Sequence, residues 1–146
     1  MMRDIKYIVV HCSGGSTRNT ADDIVRYHTA APEAGGLNWS RPGYHFIIEA
    51  DGRVVAVYPV DMPSNGVGRR FNAVSVNVCW VGGVDTSTKN LDPVDNRTPA
   101  QKASLRALLK ELKAQFPEAV ILGHRDLPDV HKACPCFDAK SEYSDI

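Results

Sequence analysis

Three side chains with metal-binding chemistry stand where a rigid backbone could aim them at one point. His11 lies near the end of the apolar run IKYIVVHC, His124 follows the short run AVILG, and Cys134 comes ten residues later in the Pro-containing loop HKACPCFD. Zinc enzymes that hydrolyse amides hold the metal with three protein ligands and leave a fourth position for water, whereas structural zinc fills all four. Two imidazoles and a thiolate would suit the first arrangement. No C-x-x-C pair or H-E-x-x-H motif is present, so spacing alone leaves blander readings open. A histidine at a strand end is commonly a hydrogen-bonded core residue, and a single cysteine a small buried hydrophobe. His28, beside Tyr27 on the apolar face of a predicted helix, and His45, pointing away from Tyr44 along its strand, read as packing residues. The competing chemistry is a cysteine nucleophile, Cys12 or Cys136 paired with a histidine. Alternation along the first strand turns Cys12 away from His11, which weighs against that pairing. A chelator separates the two, since it abolishes zinc catalysis and leaves a thiol enzyme active.

The elements needed to position these groups are legible. Ile5 to Cys12 is apolar on both alternating faces, the pattern of a strand inside a sheet. Thr20 with Asp23 three residues on predicts a capped helix whose face carries Ile24, Tyr27, His28 and Ala31 and which fades at Gly35-Gly36. Residues 43 to 60 predict a hairpin of two β-rich runs around Asp51-Gly52. After the turn-rich PSNGVGRRFN, Ala73 to Val81 predicts another strand, ending at Gly82-Gly83, and a long polar loop follows. Thr98-Pro99-Ala100-Gln101 is a helix start with a Thr cap, Pro at the first helical position and Gln able to bond back to the cap. Leu105, Leu108, Leu109, Leu112 and Phe116 then form one apolar stripe, and Pro117 stops it. Ala119 to Leu122 reads as a short buried strand delivering Gly123-His124, and everything after Arg125 as loop. There is no internal repeat.

The 146 residues, 43% hydrophobic, suit one compact α/β domain spanning 1–146. Seventeen basic residues balance seventeen acidic ones, which leaves no field for nucleic acid and no polybasic block for an anionic membrane. The apolar run after Arg3, Asp4 and Lys6 is too short for a signal-peptide core or a membrane span. Synthesis in the cytoplasm is therefore expected, where four cysteines remain thiols; a Cys12 to Cys79 bridge between neighbouring strands is the one pairing considered.

Taken together, VVHCS at 9–13, GYHFIIEADG at 43–52, VCWVGG at 78–83, TPAQ at 98–101, GHRD at 123–126 and KACPCFD at 132–138 resemble the amidases of the small phage "lysozyme" group. These are type 2 N-acetylmuramoyl-L-alanine amidases related to the peptidoglycan-recognition proteins. The blocks keep the family's order over nearly the whole chain.

That resemblance implies a mixed central β-sheet flanked by helices, with one zinc ion per chain held in a groove by His11, His124 and Cys134. Tyr44 of GYHF and Lys132 of KACP match the two catalytic positions that do not bind metal. The implied reaction is hydrolysis of the amide between the lactyl group of N-acetylmuramic acid and the L-alanine of the stem peptide. Zinc lowers the pKa of bound water toward about 7 and polarises the carbonyl. Lys132, a donor only, suits the charge that develops on the carbonyl oxygen, while Tyr44 can bond the attacking water or that oxygen. Without the resemblance, Lys132 reads as a solvated surface lysine and Tyr44 as a packed residue at a strand start. The register selects Cys134 over Cys136 as ligand. Asn65 stands where relatives usually carry a histidine, the loop around it is two residues longer and the HRDLPDVHK loop is also extended, so the resemblance does not carry over the stem-peptide contacts.

The expected partner is peptidoglycan or a soluble muropeptide, met by a monomer, with no nucleic acid and no membrane. The site of action is the cell wall for a phage or prophage endolysin, or the cytoplasm for an enzyme recycling wall fragments. Two other functions are disfavoured. A binding-only recognition module lacks the cysteine ligand, which is present here. Some phage members restrain RNA polymerase through an amino-terminal extension, and only ten residues precede His11.

Overall fold

The apolar run near the start of the chain forms β1 (Tyr7–Cys12), with five of its six residues buried, in a computed structural model that describes residues 3–146. Burial on both sides follows from its place within a five-stranded sheet of order β3-β2-β4-β1-β5. The other strands are β2 (Phe46–Ile48), β3 (Val54–Ala56), β4 (Ser75–Trp80) and β5 (Val120–Gly123). β1 runs parallel to β4 and β5, β2 runs parallel to β4, and only the β2-β3 hairpin is antiparallel. The sheet is therefore mixed, as expected. Parallel alignment brings the carboxyl ends of β1 and β5 to one edge, so His11 and His124 arrive side by side.

Four helices cover the sheet: α1 (Ala21–Thr29), α2 (Arg69–Asn72), α3 (Pro99–Gln115) and α4 (Ala139–Glu142). On one face Ile8, Val10, Val76, Val78 and Trp80 pack against the α3 stripe of Leu105, Leu108, Leu109 and Leu112, continued by Phe116. On the other, Ala21 and Ile24 of α1 meet Ile47, Cys79 and Val81. Each buried leucine of the stripe contributes about 1.5–3 kcal/mol by leaving water.

Both predicted helix starts form complete capping boxes, Thr20 with Asp23 and Thr98 with Gln101. The second also locks helix to sheet. While Gln101 Oε1 accepts from the Thr98 N–H, its Nε2 donates to the carbonyls of Ile48 and Val81 at 3.2 and 2.9 Å. Gly52, at φ +88°, turns the hairpin so closely over α3 that a Cβ there would lie 2.9 Å from Ala100 Cβ.

Several sequence expectations are corrected. Helix α1 stops at Thr29, short of Gly35-Gly36, because Ala31 precedes Pro32 and is held extended. Its buried face holds Ile24 and His28, whereas Tyr27 is 55% exposed. The hairpin strands are three residues each, shorter than the β-rich runs suggest. The tail after Arg125 is not all loop, since Asp138 caps α4 by accepting from the Ser141 N–H, and Tyr143 is buried. Cys12 and Cys79 lie in the cores on opposite faces of the sheet. The bridge the sequence weighed against is not formed: all four cysteines are free, and the Cys136 sulfur lies 3.6 Å from that of Cys12.

The tail is fastened by Arg97, only 7% exposed. Its guanidinium donates to both carboxylate oxygens of Asp95 (2.9 and 2.9 Å) and of Glu142 (2.8 and 3.0 Å), and lies 3.4 Å from the Phe137 ring centroid. Breaking a fully buried ion pair costs roughly 3–5 kcal/mol. Because Asp95 and Glu142 keep 29% and 41% of their side chains exposed, Arg97→Ala is expected to cost about 2–3 kcal/mol in denaturant unfolding. Hydrogen bonds from Arg97 hold both carboxyls below their usual range. Their contribution is therefore full above the ordinary carboxylate range and is lost as pH falls through the lowered values. The acid-side decline in stability should be shallower in the variant.

Candidate active site

His11 is the next-to-last residue of β1 and is 2% exposed; His124 is the first residue beyond β5. The return loop sets Cys134 above them through three hydrogen bonds. Cys134 O accepts from the Arg125 N–H (3.0 Å), Cys134 Sγ accepts from the Cys12 N–H (3.2 Å), and Pro135 O accepts from the Trp80 indole (3.2 Å). One ligand atom from each of His11, His124 and Cys134 lies within 4.8 Å of the others, and the two imidazole centroids are 4.7 Å apart. Zinc bonds nitrogen at about 2.0–2.1 Å and sulfur at about 2.3 Å, so these three residues could hold one ion between them.

The protonation of the three groups also fits a cation. Burial pushes His11 down to about 4, and burial followed by the neighbouring His11 pushes His124 down to about 3. Both imidazoles are thus neutral, with a lone pair available, at neutral pH. The hydrogen bond with the Cys12 thiol lowers Cys134, favouring the thiolate. A set of two imidazoles and one thiolate suits zinc better than magnesium or calcium, which take oxygen ligands.

A cleft of about 330 Å³ opens over the three ligands and is lined by Tyr44, Lys132, Trp39 and Asn65 as well. Tyr44 immediately precedes the hairpin region, half-buried, its ring 5.0 Å from that of His11. Burial raises its phenol well above the usual value, so the hydroxyl keeps its proton and can donate. Lys132 is exposed on the opposite loop, two residues before Cys134, and its charge reaches both histidines. The structure thus brings together all five side chains singled out in the sequence.

The remaining candidates are accounted for. His28 stacks on Trp39 at 4.8 Å and accepts from the Gly43 N–H, so it packs as expected while also lining the cleft. Cys136 stands outside the ligand cluster, donating to Gly83 O at 3.3 Å, and burial lifts its thiol to about 12. Cys12 is raised further, chiefly by its hydrogen bond to Cys134. Neither is a ready thiolate, which disfavours the cysteine-nucleophile reading. Sequence reasoning missed Trp39, Ser64 and Asn77. Asn77 alone carried a signal, as an amide within the run AVSVNVCWV, whose only other polar residue is Ser75.

The N-acetylmuramoyl-L-alanine amidase family model matches residues 1–137. The endolysin of Klebsiella phage KP32 is 42% identical over 138 residues, covering 94% of this chain and 85% of that one. Among solved structures, the Ph2119 endolysin from the Thermus scotoductus bacteriophage Ph2119 superposes with a TM-score of 0.71 at 27% identity, covering 92% of this chain and 79% of that one. Human PGRP-IBETAC, solved in complex with glycosamyl muramyl pentapeptide, shares the fold with a TM-score of 0.71 at 16% identity, covering 99% and 84%. Placed by that match along its length and by its kinship with phage endolysins, the chain belongs to the N-acetylmuramoyl-L-alanine amidase family.

Proposed function

We propose that this amidase works as a zinc enzyme on peptidoglycan, with one ion held by His11, His124 and Cys134 and with Tyr44 and Lys132 acting on the reacting groups. The observation that carries the reading is the convergence of three neutral or anionic ligand atoms at the floor of a cleft whose walls hold a protonated phenol and a lysine. Zinc, when bound, supplies a Lewis acid and an activated water.

The chain's own residues do the rest. Cleavage adds water across the bond between the lactyl carbonyl and the L-alanine nitrogen, giving a lactyl carboxylate and a free amino terminus. As the carbonyl carbon becomes tetrahedral, negative charge grows on its oxygen. Lys132 meets that charge with a full positive one, and the Tyr44 hydroxyl donates to the oxygen or orients the attacking water. The stacked Trp39 and His28 offer an apolar wall against which a sugar or stem-peptide methyl can rest. The solved neighbour bound to a muramyl pentapeptide supports a substrate of this class. We read residues 1–146 as a single catalytic domain acting as a monomer on the cell wall, like the endolysins it resembles. Charge balance gives no reason to invoke nucleic acid, and no helix among the described residues is long and apolar enough to cross a membrane.

Digestion of purified sacculi tests the proposal. New L-alanine amino termini and intact glycan strands are expected, with activity abolished by a chelator and restored by zinc. New reducing sugar ends, or activity that survives chelation, would refute it.

A further inference from the structure

Asn77 is an amide on a strand whose every residue is buried, and burying an amide is costly unless its hydrogen bonds are made. Its side chain meets two partners, neither of them solvent. Oδ1 lies 2.8 Å from His11 Nε2, and Nδ2 lies 2.8 Å from Ser64 Oγ. Ser64 Oγ in turn lies 2.9 Å from the carbonyl oxygen of Gly43. His11, Asn77 and Ser64 are 2%, 0% and 0% exposed, so no solvent competes.

The direction of each bond follows from the end that cannot change. A backbone carbonyl only accepts, so Ser64 spends its one hydroxyl proton on Gly43 O and receives at its lone pair. The group facing it must be the Asn77 NH2, which turns Asn77 Oδ1 toward His11. An amide oxygen only accepts, so His11 carries its proton on Nε2, and Nδ1 is left bare. The other hydrogen-bonding neighbour agrees. The Asn77 backbone N–H can only donate, so His45 Nδ1 accepts it at 3.0 Å and His45 Nε2 carries the proton, which goes to Met62 O at 2.7 Å and not to the donor-only Arg3 guanidinium at 3.3 Å. His45 Nδ1 is thereby occupied and leaves the Ser64 proton to Gly43. Gly66 seals the relay, since a Cβ there would lie 2.4 Å from Gly43 O and 2.8 Å from Asn77 Cγ.

We propose that the buried relay Gly43–Ser64–Asn77 fixes the tautomer and ring orientation of His11, making Asn77 a positioning residue that presents Nδ1 to the metal. This rests on the zinc reading of the site and adds to it a ligand atom and the residues that select it. Partners that hold the far nitrogen of a ligating imidazole typically govern metal affinity by about 10–100-fold.

The test begins with the metal-free full-length protein, labelled with 15N at histidine. Long-range 1H–15N correlations should show His11 protonated at Nε2, the signal being assigned with a His11→Gln variant. A proton on Nδ1 would overturn the proposal whatever the Asn77 and Ser64 variants show. Asn77→Leu should give a mixture of tautomers and weaken zinc, measured against a competing chelator, by about 10–100-fold, with an altered cobalt(II) absorption spectrum. Asn77→Asp, which restores an acceptor to Nε2, should recover most of that affinity. Ser64→Ala, a smaller change to the core, should weaken zinc in the same direction and serves if Asn77→Leu fails to fold. Unchanged tautomer and zinc affinity in Asn77→Leu, or in Ser64→Ala when that variant stands in, would overturn the relay. A wild-type chain that binds no zinc yet holds its His11 proton on Nε2 would support the relay and refute the zinc reading.

Discussion

Cys134→Ser is expected to strip the protein of zinc. A serine hydroxyl keeps its proton at neutral pH and is a hard oxygen donor, whereas the thiol it replaces is lowered by Cys12 and gives its proton up on binding. Loss of a direct ligand should exceed the 10–100-fold typical of losing a supporting partner, so affinity should fall by more than about a hundredfold. Cys136 cannot substitute, because its sulfur is turned to Gly83 O and Cys12. Zinc that binds only the native state stabilises it by about 1.4 kcal/mol per tenfold in affinity once free metal exceeds Kd. The melting temperature of Cys134→Ser should therefore cease to rise with added zinc, while Cys136→Ser keeps both its metal and its zinc-dependent stability. Metal analysis after dialysis decides the matter: full occupancy in Cys134→Ser, or loss in Cys136→Ser, would mean that the wrong sulfur has been assigned.

The second large effect separates metal binding from catalysis. Lys132→Ala should retain zinc and melting temperature, because Lys132 is exposed and lies outside the ligand cluster. Its turnover should nonetheless fall about a hundredfold or more, or roughly 3 kcal/mol of transition-state stabilisation. The loss belongs in kcat rather than KM, since the lysine meets a charge that is nearly absent in the ground state. Tyr44→Phe keeps the ring against His11 and removes only the donor, so the same pattern is expected there. Steady-state kinetics on a defined muramoyl-peptide, beside zinc content, would show it. A zinc-replete Lys132→Ala enzyme with near-normal turnover would remove Lys132 from the mechanism.

The parts of the fold visible in the sequence are those decided by neighbours a few positions away. Thr20 and Thr98 cap because Asp23 and Gln101 stand three residues on, and the α3 stripe from Leu105 to Leu112 is a matter of helical period. His11 and His124 could be placed at strand ends on the same grounds. What stayed hidden depends on pairing between distant segments. The partner of Cys12 is Cys136 and not Cys79, because side-chain alternation puts the two strand cysteines on opposite faces, and the tail returns over only one of them. The Asn77 relay was hidden for the same reason: the register that sets β4 beside β1 is a property of the whole sheet. Helix α4 escaped because four residues carry no periodicity, and what holds it is the buried guanidinium of Arg97, far away in sequence.

The pairing of β1 with β4 and β5 also governs when during synthesis the enzyme can exist. Tyr7 opposes Ser75 on one side and Val120 on the other, so the inner strand made first waits for partners made much later, and such non-local parallel pairing forms slowly. His11 and Cys134 are separated by 123 positions (134 − 11). At roughly 5–20 residues per second, a ribosome needs roughly 6–25 s after reading the first proposed ligand before it adds the last. Until its last ten residues that interval leaves His11 without His124, and to its end without Cys134. On the proposed ligand set, a chain that stops short of Cys134 is expected to hold no zinc and to be inactive, so the timing of activity follows the translation of that one cysteine rather than of the strands before it.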